Sequence, residues 1–240
     1  MNILVTGGAS GLGRAITRQL AGNPAHAVWF TYHRSAGAAR ELEGACANAH
    51  AIRCDFSAES EVAALAGRLE ALDLDALVHN ALAGGLARQH FHKIPLDAFR
   101  AGFVGNVLPV VALTQQAIGL FRKKHRGRIV TVLTAALVGK PPVGYAEYGA
   151  AKAYLQQLAK TWAVENASFH ITSNCVLPGY MATALHRDAD ERVVEEMIQR
   201  HPLKRLLEPA EVAAAVEFFL TCSEQVNGAN LVLNAGTELA

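Results

Sequence analysis

The sequence predicts an α/β fold: one doubly wound parallel sheet of seven strands with helices on both faces. Two observations predict it. Short apolar runs alternate with stretches of helical spacing from one end of the 240-residue chain to the other. The runs are apolar at consecutive positions, as in strands covered on both sides. Right-handed crossovers between parallel strands then wind the helices onto both faces.

The elements follow in order. Residues 3–6 form the first apolar run, and 12–20 have helical spacing. Residues 27–32 are apolar and β-branched or aromatic, and 38–46 are alanine-rich and helical. A short strand over 51–54 precedes a helix over 60–71, whose Val62, Leu65, Ala66 and Leu69 share one face. Residues 76–79 are a buried strand. One long helix covers 96–125 and leads into a β-rich stretch at 128–133. A helix over 145–166, a strand over 172–177, a helix over 209–221 and a strand over 230–233 complete the chain. The segments 82–95, 135–144 and 180–207 show no clear period. They follow the carboxyl ends of the fourth, fifth and sixth strands, the edge at which open α/β sheets bind ligands. No repeat, low-complexity tract or linker interrupts the pattern, so residues 1–240 read as a single domain.

Composition narrows the function. Apolar residues make up 51% of the chain, charged residues 18%, and the formal net charge is +1. Such a balance offers no general attraction for nucleic acid or an anionic membrane. The basic run from Arg122 to Arg128 falls at the end of the long helix, where positive charge complements the helix dipole. Cys46, Cys54, Cys175 and Cys222 form no C-x-x-C pair, and no histidine spacing suggests a metal site. His90 and His92 read as loop surface. No secretory signal is evident, and no apolar run approaches the about 18–20 residues of a membrane helix. The expectation is a cytoplasmic protein with reduced cysteines.

The first strand–helix junction reads Thr6-Gly7-Gly8-Ala9-Ser10-Gly11-Leu12-Gly13. Glycines there allow a tight turn and a close approach of backbone to a pyrophosphate, and the helix N-terminus supplies free N–H groups. An acidic residue ending the second strand would bind the ribose diol of NAD. The chain instead has His33-Arg34-Ser35, and the guanidinium fork of Arg34 suits a phosphate. The expected cofactor is NADP(H), favoured over NAD(H).

Tyr148 and Lys152 are four residues apart on a helix and therefore share a face. A phenol has a pKa near about 10, and a neighbouring ammonium lowers it. Tyr148 then exchanges a proton with a carbonyl oxygen as hydride moves.

Taken together, the motifs resemble the short-chain dehydrogenases/reductases over nearly the whole chain. They are Thr6 to Gly13, Asp55 after the third strand, Asn80-Ala81 after the fourth, Asn106 in the long helix, Tyr148 with Lys152, and Asn174-x-x-x-Pro178-Gly179-x-x-x-Thr183. The resemblance implies a Rossmann-type domain and a role for each position. Gly7, Ser10, Gly11, Leu12 and Gly13 line the cofactor phosphates. Asp55 and Phe56 flank the adenine, and Asn80 and Ala81 the adenosine ribose. Tyr148 is the acid/base. Lys152 binds the nicotinamide ribose and lowers the tyrosine pKa, and Asn106 holds a relay water. Pro178, Gly179, Met181 and Thr183 hold the nicotinamide side. Relatives assemble as dimers or tetramers, so a homodimer or homotetramer is expected. Each position also has a plainer reading. Asn106, between Gly105 and Pro109, satisfies backbone groups at a helix irregularity; Asp55 caps the next helix; Pro178-Gly179 is a turn.

Two departures stand out. The family serine after the fifth strand is missing, and the chain reads Thr131-Val132-Leu133-Thr134-Ala135. Thr134 aligns best and its hydroxyl donates the same bond; a slip of one residue puts Ala135 there and leaves no donor. Leu82 replaces a customary glycine in His79-Asn80-Ala81-Leu82, and His79 reads as a hydrogen-bonded strand residue. The expected activity is NADPH-dependent reduction of a ketone or 3-oxoacyl carbonyl, free or carrier-bound. Arg126 and Arg128 are basic residues available for a carrier, whereas Phe169 stands near where such reductases often carry arginine. The alternatives are an NAD(P)-dependent alcohol dehydrogenase running oxidatively, or a cofactor-binding subunit without catalysis.

Overall fold

Runs such as Ile3-Leu4-Val5 and Ala76-Leu77-Val78 send alternate side chains to opposite faces, and all six of these are fully buried. Only a sheet sandwiched between helices accommodates that. The computed structural model describes residues 1–84, 88–181 and 191–238. Its strands are β1 (Asn2–Val5), β2 (Ala27–Tyr32), β3 (Ala49–Arg53), β4 (Ala76–His79), β5 (Gly127–Val132), β6 (Ile171–Pro178) and β7 (Asn230–Leu233). They form one parallel seven-stranded sheet in the order β3-β2-β1-β4-β5-β6-β7. The predicted fold class is the observed one.

The helices are α1 (Gly11–Ala21), α2 (Ala36–Ala45), α3 (Glu59–Arg68), α4 (Leu96–Asn106), α5 (Leu108–Lys124), α6 (Ala146–Asn166), α7 (Glu191–Arg200) and α8 (Pro209–Thr221). On one face Leu65, Leu113, Phe121 and Leu155 pack with Leu77, Ile129 and Leu177 of the sheet. On the other, Ile16, Leu20, Val216 and Phe219 pack with Val5, Phe30 and Val176. Burying each such side chain contributes about 1.5–3 kcal/mol.

Three expectations need correction. The long helix is two helices, with a break at Val107. Pro109 has no N–H to donate, and its ring crowds the carbonyl four residues back, at Gly105. Across the break, Leu96–Lys124 spans 29 residues with a window of mean hydropathy 1.4, so one stretch does meet the length and composition of a membrane helix. In the fold its Val110, Leu113, Ala117 and Phe121 are core residues. Finally, α7 lies inside 180–207. It escaped notice because Val193, Val194, Met197 and Ile198 are interspersed among five charged residues in ten.

The chain runs outward from β1 to β3, then crosses to β4 on the other side of β1. The loops after β1 and β4 therefore diverge from neighbouring strands, and the crevice between them is where such sheets bind ligands.

Candidate active site

The loop after β1 is held from both sides of this crevice. Gly7 N–H donates to Thr31 Oγ1 at 2.8 Å, and Gly8 N–H to Thr31 O at 2.9 Å. Thr6 Oγ1 accepts from the N–H groups of Asn80 (2.9 Å) and Ala81 (3.1 Å). Asn80 Nδ2 donates to the carbonyls of Thr6 (3.1 Å) and Gly7 (3.2 Å). Gly13 packs so tightly that a Cβ there would collide with the Gly7 carbonyl and lie 2.6 Å from Asn80 Nδ2. Gly11, with φ +51°, leaves open space where its side chain would be. Ser10 is exposed and its hydroxyl makes no cap bond. Leu12 is half-buried beside it. Open backbone at a helix N-terminus is the shape an anionic phosphate fits.

Beyond β2, Arg34 is exposed and has no hydrogen bond or ion pair among the described residues. Ser35 opens α2 without a side-chain cap bond. His33 Nε2 lies 3.2 Å from Asp55 Oδ2. Asp55 Oδ1 accepts from Ser57 N–H (2.9 Å) and Oγ (2.7 Å), and these bonds hold its carboxyl below the ordinary range, with His33 adding to the effect. The Phe56 side chain is 7% exposed and belongs to the core, so only its backbone can face a base.

The chemistry-bearing groups meet at the carboxyl ends of β4, β5 and β6. Thr134 Oγ1 accepts from Ala136 N–H at 3.2 Å and lies beside the Tyr148 phenol. Thr134, not Ala135, therefore faces the tyrosine. Lys152 is 8% exposed; its Nζ donates to Val132 O at 2.8 Å and lies 5.8 Å from the centre of the Tyr148 ring. Burial pulls the Lys152 pKa down to about 8. Burial also raises that of Tyr148, and the nearby Thr134 hydroxyl acts in the opposite direction.

Asn106, at the helix break, accepts from Ala83 N–H with Oδ1 (2.7 Å) and donates to Ala83 O with Nδ2 (3.3 Å). Its side chain thus satisfies backbone groups, the plainer of its two readings, and clasps the loop after β4. Pro178 ends β6, Gly179 N–H donates to Leu233 O at 2.8 Å, and Met181 bridges to Leu207. Asn174 is structural, bonded to Val226 and Ala229. Thr183 lies outside the described residues.

Two features escaped the sequence. Glu147, next to Tyr148, shares with Gln89, Ile94, Ala98, Gly144 and Tyr145 a cavity of about 50 Å³ that Tyr148 also lines. Burial raises its carboxyl pKa. Its only signal was its place beside Tyr148. A larger depression of about 790 Å³, between α1 and α8, lies by Gly22 and Pro24 at the opposite edge of the sheet, away from these groups.

His79 is a strand residue, as expected. Burial holds it neutral, with its pKa down at about 3 and the Lys152 charge acting in the same direction. Unfolded histidine ionises near about 6.5. Below that pH the unfolded chain takes up a proton that the folded one refuses, so this part of the stability is lost as pH falls from about 6.5 towards 3. Melting temperatures of the wild type should fall more steeply across that window than those of His79→Gln.

A family model described as enoyl-(acyl carrier protein) reductase matches residues 7–238. The chain belongs to the short-chain dehydrogenase/reductase family. This dehydrogenase/reductase is 30% identical over 240 residues to the 3-oxoacyl-(acyl-carrier-protein) reductase MabA of Mycobacterium tuberculosis, covering 98% of this chain and 92% of that protein. It is 30% identical to an acetoacetyl-CoA reductase of Allochromatium vinosum, covering 97% and 96% of the two chains. A crystal structure of a short chain dehydrogenase from Burkholderia cenocepacia in complex with NADP superposes with a TM-score of 0.85, 29% identity and coverage of 98% and 96%. This dehydrogenase/reductase is an oxidoreductase acting on CH–OH and C=O groups.

Proposed function

We propose that the protein reduces a ketone or 3-oxoacyl-type carbonyl with NADPH, Tyr148 supplying the proton. The observation that carries this reading is the convergence of Thr134, Tyr148 and Lys152 at the carboxyl edge of the sheet. The glycine loop fits a dinucleotide, because Gly13 lets α1 pack close against the Gly7 carbonyl and Gly11 leaves the backbone open. When bound, the cofactor supplies the hydride. Gly7, Ser10, Gly11, Leu12 and Gly13 would hold its phosphates. Asn80 and Ala81 would flank one ribose and Lys152 the other, and Gly179 and Met181 would lie on the nicotinamide side.

The chain's own groups then act on the substrate oxygen. Thr134 donates a hydrogen bond to it and Tyr148 delivers the proton. Burial favours the protonated phenol. The intact trio disfavours a non-catalytic subunit. Thr134→Ala should lower kcat for ketone reduction by about 100- to 1000-fold, the loss of one polarising bond; an unchanged kcat would place the oxygen elsewhere.

The preference for NADP(H) rests on the guanidinium of Arg34, which has no partner among the described residues. Arg34→Ala should weaken NADPH binding by about tenfold or more and leave NADH unaffected, the worth of a charge-assisted bond. Fluorescence titration with both cofactors tests it; equal effects on the two would sink the assignment.

The carrier-bound version of the substrate loses one support. Arg126 pairs with Asp75 and Arg128 with Glu224, both at the amino edge of β5 and so across the sheet from the site. We also propose a homodimer or homotetramer, supported by exposed Phe103, Val104, Leu108 and Tyr154 on α4, α5 and α6. A cytoplasmic location is supported by four free cysteines, two of them buried.

A further inference from the structure

Behind the site lies a row of buried polar groups that the reaction as proposed leaves unused. His79, at the end of β4, is 2% exposed, and its Nε2 lies 2.8 Å from Thr114 Oγ1 on α5. Its Nδ1 has no hydrogen-bond partner among the described residues, and neither has Thr131 Oγ1. The two residues are register partners on β4 and β5. Their side chains therefore rise from one face of the sheet on strands about 4.8 Å apart. The next residue, Val132, provides the carbonyl that receives Lys152 Nζ. A neutral imidazole that donates from Nε2 to Thr114 presents a lone pair at Nδ1. Buried polar atoms rarely go without partners, and here two of them are neighbours beside a buried ammonium.

We propose that His79 and Thr131 are a positioning pair for Lys152: an ammonium hydrogen of Lys152 goes to the Thr131 hydroxyl, and that hydroxyl gives its own hydrogen to Nδ1 of His79. Each link joins a donor to an acceptor, and the run ends at Thr114. A turn of the Thr131 side chain, or one bridging water, closes it. The pair opposes the burial that lowers the Lys152 pKa, and it fixes the direction in which the ammonium points. The other titratable groups around Lys152 cannot take this part. Tyr148, on the same helix, is a protonated phenol in the reducing enzyme. Cys175 on β6 is held neutral by burial, its pKa pushed up to about 12. Lys160, further along α6, is a cation that acts on Cys175.

The inference rests on the reading of Lys152 as part of the catalytic group, and the test separates the two. The variants are Thr131→Val, nearly isosteric, His79→Leu, and His79→Gln, whose amide oxygen can accept. The measurements are the pH dependence of NADPH binding, by cofactor fluorescence, and of kcat/KM for ketone reduction. In Thr131→Val and His79→Leu the basic limb of both profiles should move down by about one pH unit, the loss of one bond to the charged form. His79→Gln should restore most of it. Should His79→Leu fail to fold, Thr131→Val decides alone. Unmoved limbs in folded Thr131→Val, while Lys152→Ala changes both profiles, overturn the pair and leave the site reading intact. Profiles unchanged by Lys152→Ala overturn the site reading and the pair with it.

Discussion

Tyr148→Phe should lower ketone reduction by about 100- to 10,000-fold, the span attributed to a positioned proton donor, and leave NADPH affinity unchanged. The phenylalanine ring keeps the packing at the start of α6 and removes only the hydroxyl that Thr134 contacts. The variant therefore separates proton delivery from binding. Steady-state kinetics beside a fluorescence titration make the comparison. Near-normal turnover would mean that another group protonates the substrate oxygen. A fall in NADPH affinity as large as the fall in turnover would mean that the phenol holds the cofactor and has no acid role.

The second large effect is expected at Gly13. Its hydrogen faces the Gly7 carbonyl and the Asn80 amide, and neither can withdraw. Asn80 is committed to the carbonyls of Thr6 and Gly7, and Gly7 is tied to Thr31. Gly13→Ala should therefore displace the loop at a cost of about 1–3 kcal/mol. NADPH affinity should fall by about 10-fold or more. Gly37→Ala in α2, where nothing lies within 4 Å, serves as the control and should bind normally. Equal binding by the two variants would show that the phosphates do not sit against this loop.

Strands such as β1 and β4 were legible because Ile3-Leu4-Val5 and Ala76-Leu77-Val78 are apolar on both faces, a pattern no surface loop maintains. The trio was legible through spacing, since Tyr148 and Lys152 lie one turn apart on a regular helix. Periodicity does not record what a carboxamide is doing. Asn106 was in the right place, yet its hydrogen bonds go to Ala83, a partner 23 residues away. Phe56 had a position in a motif, but the motif says nothing of the pocket between β3 and α3 that takes its ring. The sign of the Tyr148 shift was out of reach for a similar reason. A four-residue spacing brings a charge near a phenol; the burial that raises the Tyr148 pKa comes from the whole fold. Nor could sequence show Arg126 and Arg128 at the far edge of the sheet, because a basic residue looks the same at either end of a strand.

The Thr6 hydroxyl gives to Val78 O at 3.3 Å and takes from the N–H groups of Asn80 and Ala81. One oxygen atom thereby joins the two halves of the sheet at the point where they part. Variation in the segments beyond Ala81 can then reshape the part of the crevice that meets substrate without disturbing the part that meets the dinucleotide. The fold can acquire new substrates on one bank while the other keeps its alignment, with Thr6 as the fixed survey mark between them.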